Sequence, residues 1–229
     1  MRDGSASVRL VGHWEFSLTL MTYADDLKKV VISSLLPTLG PDEVIGLELR
    51  FGDGRYRADL VISSPVRLSA FEIKGSRDNL DKLQDQAAGY TKLFLDFSVV
   101  ADPTWIPALR ERLPRTVGLW TVDARLQQIR QPYVRSQLSK EAGVGWLRTP
   151  ELKTLLSEYG VSQAGHLSVM AATALRYVPA SVLSARAISS VHARLVPRYS
   201  TFLRELGRTV TLDDVRVLTL GDDITGRGE

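Results

Sequence analysis

The segment Arg57–Tyr90, RADLVISSPVRLSAFEIKGSRDNLDKLQDQAAGY, reads as two strands and a helix, yet carries an Asp, a Glu-x-Lys and a Gln-x-x-x-Tyr among residues that look like core. The runs "RYRADLVI" and "LSAFEIKG" are apolar and β-favouring, and the turn "SSPVR" separates them. Residues two apart on a strand share a face, so Glu72 and Lys74 lie together while Phe71 and Ile73 face the other way, toward core. A hairpin joining 57–63 to 69–74 brings the Asp59 carboxylate beside Glu72. From Asp78 the pattern turns helical, with Leu80, Leu83, Ala87, Tyr90 and Phe94 recurring at steps of three and four and Ser76 or Asp78 available as cap. Gln86 and Tyr90 are then one turn apart and reach the same edge of a site, with the Tyr90 ring in the core and its hydroxyl at the rim.

Upstream, the spacing of Leu27, Val30, Val31, Ser34 and Leu35 predicts a helix over 23–39. "VIGLELRF", the turn "GDG" and "RYRADLVI" form a hairpin signal that sets Glu48 opposite Asp59, or one residue from it. Downstream, "FSVVA", a helical segment 105–113 and "TVGLWTV" complete a strand, helix, strand, helix, strand order, which implies parallel crossovers in an α/β core. After Gln131 strand signals fade. "TPELKTLLSEYG" is a helix with Thr149 as N-cap, Pro150 at the first position, Glu151 in the first turn and Gly160 past the end. Further helices are expected near 163–177, 181–195 and 198–207, punctuated by Pro179 and Pro197. The chain therefore divides into a core over 1–130 and an all-α accessory domain over 131–229. "HWEFSLTL" alternates like a strand, so residues 1–20 read as an extra strand or an arm, and the tail from Gly221 is polar.

A chain of 229 residues with 44% hydrophobic content can fill a sizeable core. The absence of Cys excludes disulfides, thiol catalysis and Cys-ligated zinc. No apolar run resembles a membrane span or a signal peptide, so a cytoplasmic protein is expected. The formal net charge of +3 comes entirely from residues 135–229. There Arg176, Arg186, Arg194, Arg198, Arg204 and Arg208 face only Glu205 between positions 159 and 212, a footprint for a polyanion. Arg194 and Arg198 are candidate nucleic-acid contacts. So are Arg57 and Arg77, which flank the Asp59–Tyr90 constellation; salt bridges to Asp53 or Asp81 are the alternative for them.

Close carboxylates repel unless a cation sits between them, and an all-oxygen pair points to a hard divalent ion, Mg²⁺ or Mn²⁺. Such an ion polarises a phosphodiester and activates water, and an adjacent Lys74 stabilises the developing charge or orients the water. In residue types and order, Asp59, then Glu72-Ile73-Lys74, then Gln86-x-x-x-Tyr90 resembles the PD-(D/E)xK nuclease superfamily. It is also similar to a group of small bacterial proteins of unassigned function that share an R-A-D-L, E-I-K, L-x-x-Q-x-x-x-Y pattern and a helical C-terminal half. The resemblance implies a restriction-endonuclease-like mixed-sheet core of order α-β-β-β-α-β, followed by the helical subdomain. It also implies metal binding by Asp59 and Glu72, a catalytic Lys74, and Gln86 and Tyr90 as in the exonuclease-like branches. The superfamily usually adds an upstream acid; Glu48 is the first candidate, with Glu43, Asp25 and Asp26 as others. Ala58 stands where the superfamily name has Pro. The expected activity is metal-dependent hydrolysis of nucleic acid, most of all DNA, in repair, processing or defence. The alternative is a non-catalytic nucleic-acid-binding or partner-binding module on the same fold; a homodimer or a protein partner is also expected.

Overall fold

Three consecutive residues with left-handed backbone, Gly52 (φ 58°), Asp53 (φ 61°) and Gly54 (φ 80°), make the first reversal of the sheet, closed by Arg55 N–H donating to the Gly52 carbonyl at 3.1 Å. Glycine adopts this conformation without steric cost, which is why the "GDG" signal is legible. The computed structural model describes residues 24–123 and 125–219. Its elements begin with α1 (Ala24–Leu35), β1 (Val44–Phe51), β2 (Tyr56–Ser64), β3 (Arg67–Lys74), α2 (Leu83–Leu93) and β4 (Asp96–Ala101). They continue with α3 (Ile106–Arg112), β5 (Gly118–Val122), β6 (Leu126–Arg130), α4 (Lys140–Trp146), α5 (Thr149–Glu158), α6 (Leu167–Tyr177), α7 (Ala180–Glu205) and α8 (Leu212–Leu218). The expected α-β-β-β-α-β order is present from α1 to β4. The expected strand at 13–20, the arm at 1–20 and the tail from 221 lie outside the described residues.

Among the described residues six strands form one mixed sheet in chain order. β1, β2 and β3 are antiparallel neighbours, β3, β4 and β5 are parallel, and β6 returns antiparallel. Strands β3 and β4 are buried along almost their whole length, as expected of central strands covered on both faces. β6 has little apolar alternation to announce it, because an edge strand pairs on one side only and its pattern is half-exposed throughout.

Three boundaries differ from the sequence expectation. α2 starts at Leu83 rather than Asp78, since Asp78 Oδ2 accepts from Gly75 N–H at 2.7 Å and Asn79 Oδ1 accepts from Asp81 N–H at 3.3 Å. Short polar side chains thereby hold 75–82 in turns that compete with helix. α5 begins at Thr149 itself, with the Glu151 carboxylate accepting from Arg148 N–H at 2.6 Å, while Gly160 (φ 65°) follows its end as expected. α7 runs unbroken through Pro197 for 26 residues. Proline disfavours a helix interior by removing one backbone bond, but the buried Leu195, Tyr199 and Phe202 on either side of it anchor both halves to the same surface.

The division placed at 130/131 falls at the end of β6, and one apolar core crosses it. Ala187, Ile188, Val191, Leu195 and Phe202 of α7 and Leu218 of α8 join the core of the sheet, with α7 packed on β1 and β2 and α8 on α1 and β1. A second, smaller cluster gathers Val144, Leu152, Leu155, Met170 and Leu183 among α4, α5, α6 and α7. α4 meets α7 at close range through Gly143, where an added Cβ would lie 3.0 Å from the Leu183 backbone carbonyl carbon. Gly143→Ala is therefore expected to cost about 1–3 kcal/mol by overpacking, despite the better helix propensity of alanine; chemical denaturation measures it, and a stabilised variant would show that the α4–α7 contact yields freely. Among the described residues no helix is long and apolar enough to cross a membrane.

Candidate functional site

The ladder pairs Leu47↔Leu60 and Leu49↔Ala58 set Glu48 across from Asp59, and Leu60↔Phe71 carries the row on to Glu72. Three carboxylates from three adjacent strands thus fall in line. Glu48 itself has φ 57°, left-handed backbone that costs a side-chain-bearing residue about 1–3 kcal/mol and tends to persist at sites of function. Of the four upstream acids that sequence offered, the register selects Glu48. Glu43 pairs with Arg67 at 2.6 Å and Asp26 with Lys29 at 3.9 Å, while Asp25 reaches the edge of the site, 3.6 Å from Lys28.

Glu72 is the hub. Its Oε1 accepts from Lys74 Nζ at 2.7 Å and from Gln86 Nε2 at 3.0 Å, and its Oε2 accepts from the Tyr90 hydroxyl at 2.6 Å. The one-turn spacing of Gln86 and Tyr90 on α2 delivers both side chains to this one carboxylate. Tyr90 is not at the rim: it is fully buried, stacked on Phe97 with centroids 4.2 Å apart, and its hydroxyl also lies 3.0 Å from the Arg57 carbonyl oxygen. Burial and then the Glu72 charge hold its phenol in the neutral, donating form. Gln86 Oε1 is buried with no hydrogen-bond partner among the described residues.

The half-buried Asp59 accepts from Ile73 N–H at 2.7 Å through Oδ2. Burial, with Glu72 beside it, pushes its carboxyl up to about 7. Sequence reasoning missed Lys28. Its Nζ donates to Glu48 Oε1, and Arg57 Nε stands 2.5 Å from Glu48 Oε2. Burial lowers the Lys28 pKa, but the Glu48 hydrogen bond and charge outweigh it and the net direction is up. A signal for Lys28 exists in the sequence. It falls on the apolar stripe of α1, between buried Leu27 and Val31 and four residues before buried Ile32, where a charge needs a partner.

Of the remaining cations, Arg57 pairs with Glu48, and Arg77 is exposed with no ion pair among the described residues. Arg194 is half-buried on α7, donating to the Ser190 and Trp146 carbonyls at 3.2 and 3.1 Å; burial and Arg148 pull its pKa down to about 10. Its guanidinium ties α7 to α4. Arg198 is exposed on α7.

No group of three or more His, Asp or Glu side chains among the described residues is arranged to hold a metal ion. A hard cation of the Mg²⁺ type takes one or two carboxylates and completes its shell with water, so Asp59 and Glu72 are the residues that could hold one. Burial and then the Glu72 charge raise Asp59, and Gln86 Oε1 is left without a partner among the described residues, so this point has both a carboxylate and an amide oxygen that a cation could engage.

The family model of bacteriophage P4 protein cII matches residues 21–219. The chain belongs to that family. Protein cII of Enterobacteria phage P4 is 30% identical over 131 residues, covering 55% of this chain and 49% of that protein, so the chain spans about half the length of this relative. Among solved structures, SPO1766, a protein of unknown function from Silicibacter pomeroyi, is similar over 51% of this chain and 75% of that one, with 21% identity and a TM-score of 0.39. The cII match takes in every residue of the constellation, from Lys28 to Tyr90, together with the helices that close over the sheet.

Proposed function

We propose that this cII-family chain hydrolyses phosphodiester bonds of nucleic acid, DNA foremost, with Mg²⁺ or Mn²⁺. The observation that carries the reading is the convergence on Glu72: Asp59 across the hairpin, Lys74 on the same strand face, and Gln86 and Tyr90 from the following helix. That set, in that chain order, is what resembles the PD-(D/E)xK nucleases. Asp59 and Glu72 would hold the ion, and Glu48 would bias Asp59 by its charge and through Lys28. The ion supplies Lewis acidity toward the phosphate and a more acidic water. Lys74 supplies a cation beside the scissile phosphate, while Gln86 and Tyr90 fix the Glu72 carboxylate in one orientation. Arg77 and Arg198, both exposed, are cations open to a phosphate backbone. The setting proposed is cytoplasmic, where a chain without Cys needs no oxidising compartment.

A second reading has its own observation. Glu48 is already met by Lys28 and Arg57, and Glu72 by Lys74, so the cations required to neutralise two of the three carboxylates are built in. On that reading the same fold binds nucleic acid or a protein partner without cutting.

Supercoiled, linear and single-stranded DNA incubated with Mg²⁺, Mn²⁺ or EDTA separates the two. Hydrolysis is expected for the wild type with metal only, and none for Asp59→Ala. Binding of DNA by both proteins with cutting by neither would leave the non-catalytic reading in possession of the site.

A further inference from the structure

The sheet carries a second feature, on the face turned away from Glu72. The pairs Phe71↔Ser98 and Ser98↔Gly118, with the two-residue alternation of strands, place Phe71, Asp96, Ser98 and Trp120 on one face and Glu72 on the other. These four residues, with Leu95 and Val134, line a cavity of about 500 Å³, a size that takes a small organic molecule. The Phe71 and Trp120 rings stand 6.3 Å apart at 64°, forming an aromatic corner. Val66 and Val134 line it while 83% and 61% exposed, an apolar entrance left open to water.

The polar groups in this cavity are incompletely used. Asp96 is buried, and its Oδ2 accepts from Ser69 Oγ at 2.6 Å. Ser98 Oγ and Trp120 Nε1 are buried with no hydrogen-bond partner among the described residues. Buried donors left unmet lower stability, so each needs a reason. The sheet makes room for the Ser98 hydroxyl at some cost in sequence freedom: a Cβ at Gly118 would fall 2.1 Å from Ser98 Oγ and 3.0 Å from Pro132 Cδ.

We propose that this cavity binds a nucleobase, whose planar ring packs into the Phe71–Trp120 corner, donates to Asp96, and accepts from Trp120 Nε1 and Ser98 Oγ. An apolar ligand would leave both donors unmet. Arg67 and Arg135 also line the cavity, but Arg67 is engaged by Ser69 and Glu43 and Arg135 by the Lys92 and Phe94 carbonyls, so a simple anion would gain little from them and would still meet Asp96. A nucleobase carries donors and acceptors on the edge of one flat ring, which matches a carboxylate and two N–H or O–H groups set around aromatic walls. The base has two sources with the same chemistry, a free nucleoside or nucleotide and a base turned out of a single strand. The proposal does not rest on the carboxylate site, and EDTA in every sample keeps the two apart.

The test follows the Trp120 indole N–H signal in nitrogen–proton spectra of the full chain, assigned by its loss in Trp120→Phe. Guanosine, adenosine, cytidine, uridine and a short single-stranded oligonucleotide are titrated separately, with toluene as an apolar control. At least one nucleoside or the oligonucleotide is expected to shift that signal to saturation. Ser98→Ala and Asp96→Asn, checked for folding by circular dichroism, should each weaken that binding roughly fivefold to tenfold, the usual worth of one hydrogen bond. Saturation by nucleosides identifies a free ligand as the source, and saturation by the oligonucleotide alone identifies a strand. No saturation by any of them overturns the proposal. So does a toluene response equal to theirs that Ser98→Ala and Asp96→Asn leave unchanged.

Discussion

Lys74→Ala is expected to lower the proposed metal-dependent cleavage roughly a hundredfold to ten-thousandfold, the range for removing one positioned charge or proton-transfer group. The physical basis is local. Nζ stands 2.7 Å from Glu72 Oε1, on the strand face that also presents the carboxylates, so the lost charge is one the reacting phosphate would meet. The Glu72 carboxylate keeps Gln86 and Tyr90 as donors, so the fold should survive with a loss of about 1–3 kcal/mol from the broken, largely buried pair. The deficit belongs in kcat, with Mg²⁺ affinity by calorimetry within a few-fold of wild type, because Lys74 is not proposed as a ligand. Lys74→Met keeps the aliphatic stem and serves if the alanine variant misfolds. Cutting at wild-type rate by either variant would remove Lys74 from the chemistry.

Asp59→Asn is expected to stabilise the metal-free protein by about 2–4 kcal/mol above pH 7, although it should abolish the proposed Mg²⁺ binding. The Asp59 carboxyl is raised from its ordinary 3.8 to about 7, first by burial and then by the Glu72 charge. A folded-state pKa above the unfolded one means that the native state binds the proton more tightly. Wild-type stability therefore falls as pH rises from about 4 to about 7 and stays lowered beyond, as far as this group contributes. Asparagine carries no charge and retains an oxygen to accept from Ile73 N–H, so its advantage is greatest above pH 7 and vanishes near pH 4. Thermal unfolding of both proteins across that interval, in EDTA, measures it. A difference independent of pH, or growing toward pH 4, would show that Asp59 does not carry this penalty. Stability given up at a charged cluster is what a site built to receive a cation should display.

The local periods of the chain were enough to order the core. Alternation over 57–63 and 69–74 placed Asp59 beside Glu72 and set Glu72 and Lys74 on one face, and the one-turn step from Gln86 to Tyr90 aimed both at it. Those readings depend on backbone geometry within a dozen residues, which sequence carries directly. α4 and β6 were not legible, since a seven-residue helix and a half-exposed edge strand contain too few periods to stand out.

Residue order and local period alone were enough for a mixed α/β core with an Asp, Glu-x-Lys, Gln-x-x-x-Tyr constellation on it. The tertiary structure decided the rest. It chose Glu48 among four acids through strand register, brought Lys28 from α1 onto that carboxylate, and put the Tyr90 ring beneath the site. It carried α7 through Pro197 and joined the helical half to the core of the sheet. Each of these depends on which surface a distant element docks against, a choice made by burying apolar area across the whole molecule rather than by the preferences of neighbouring residues.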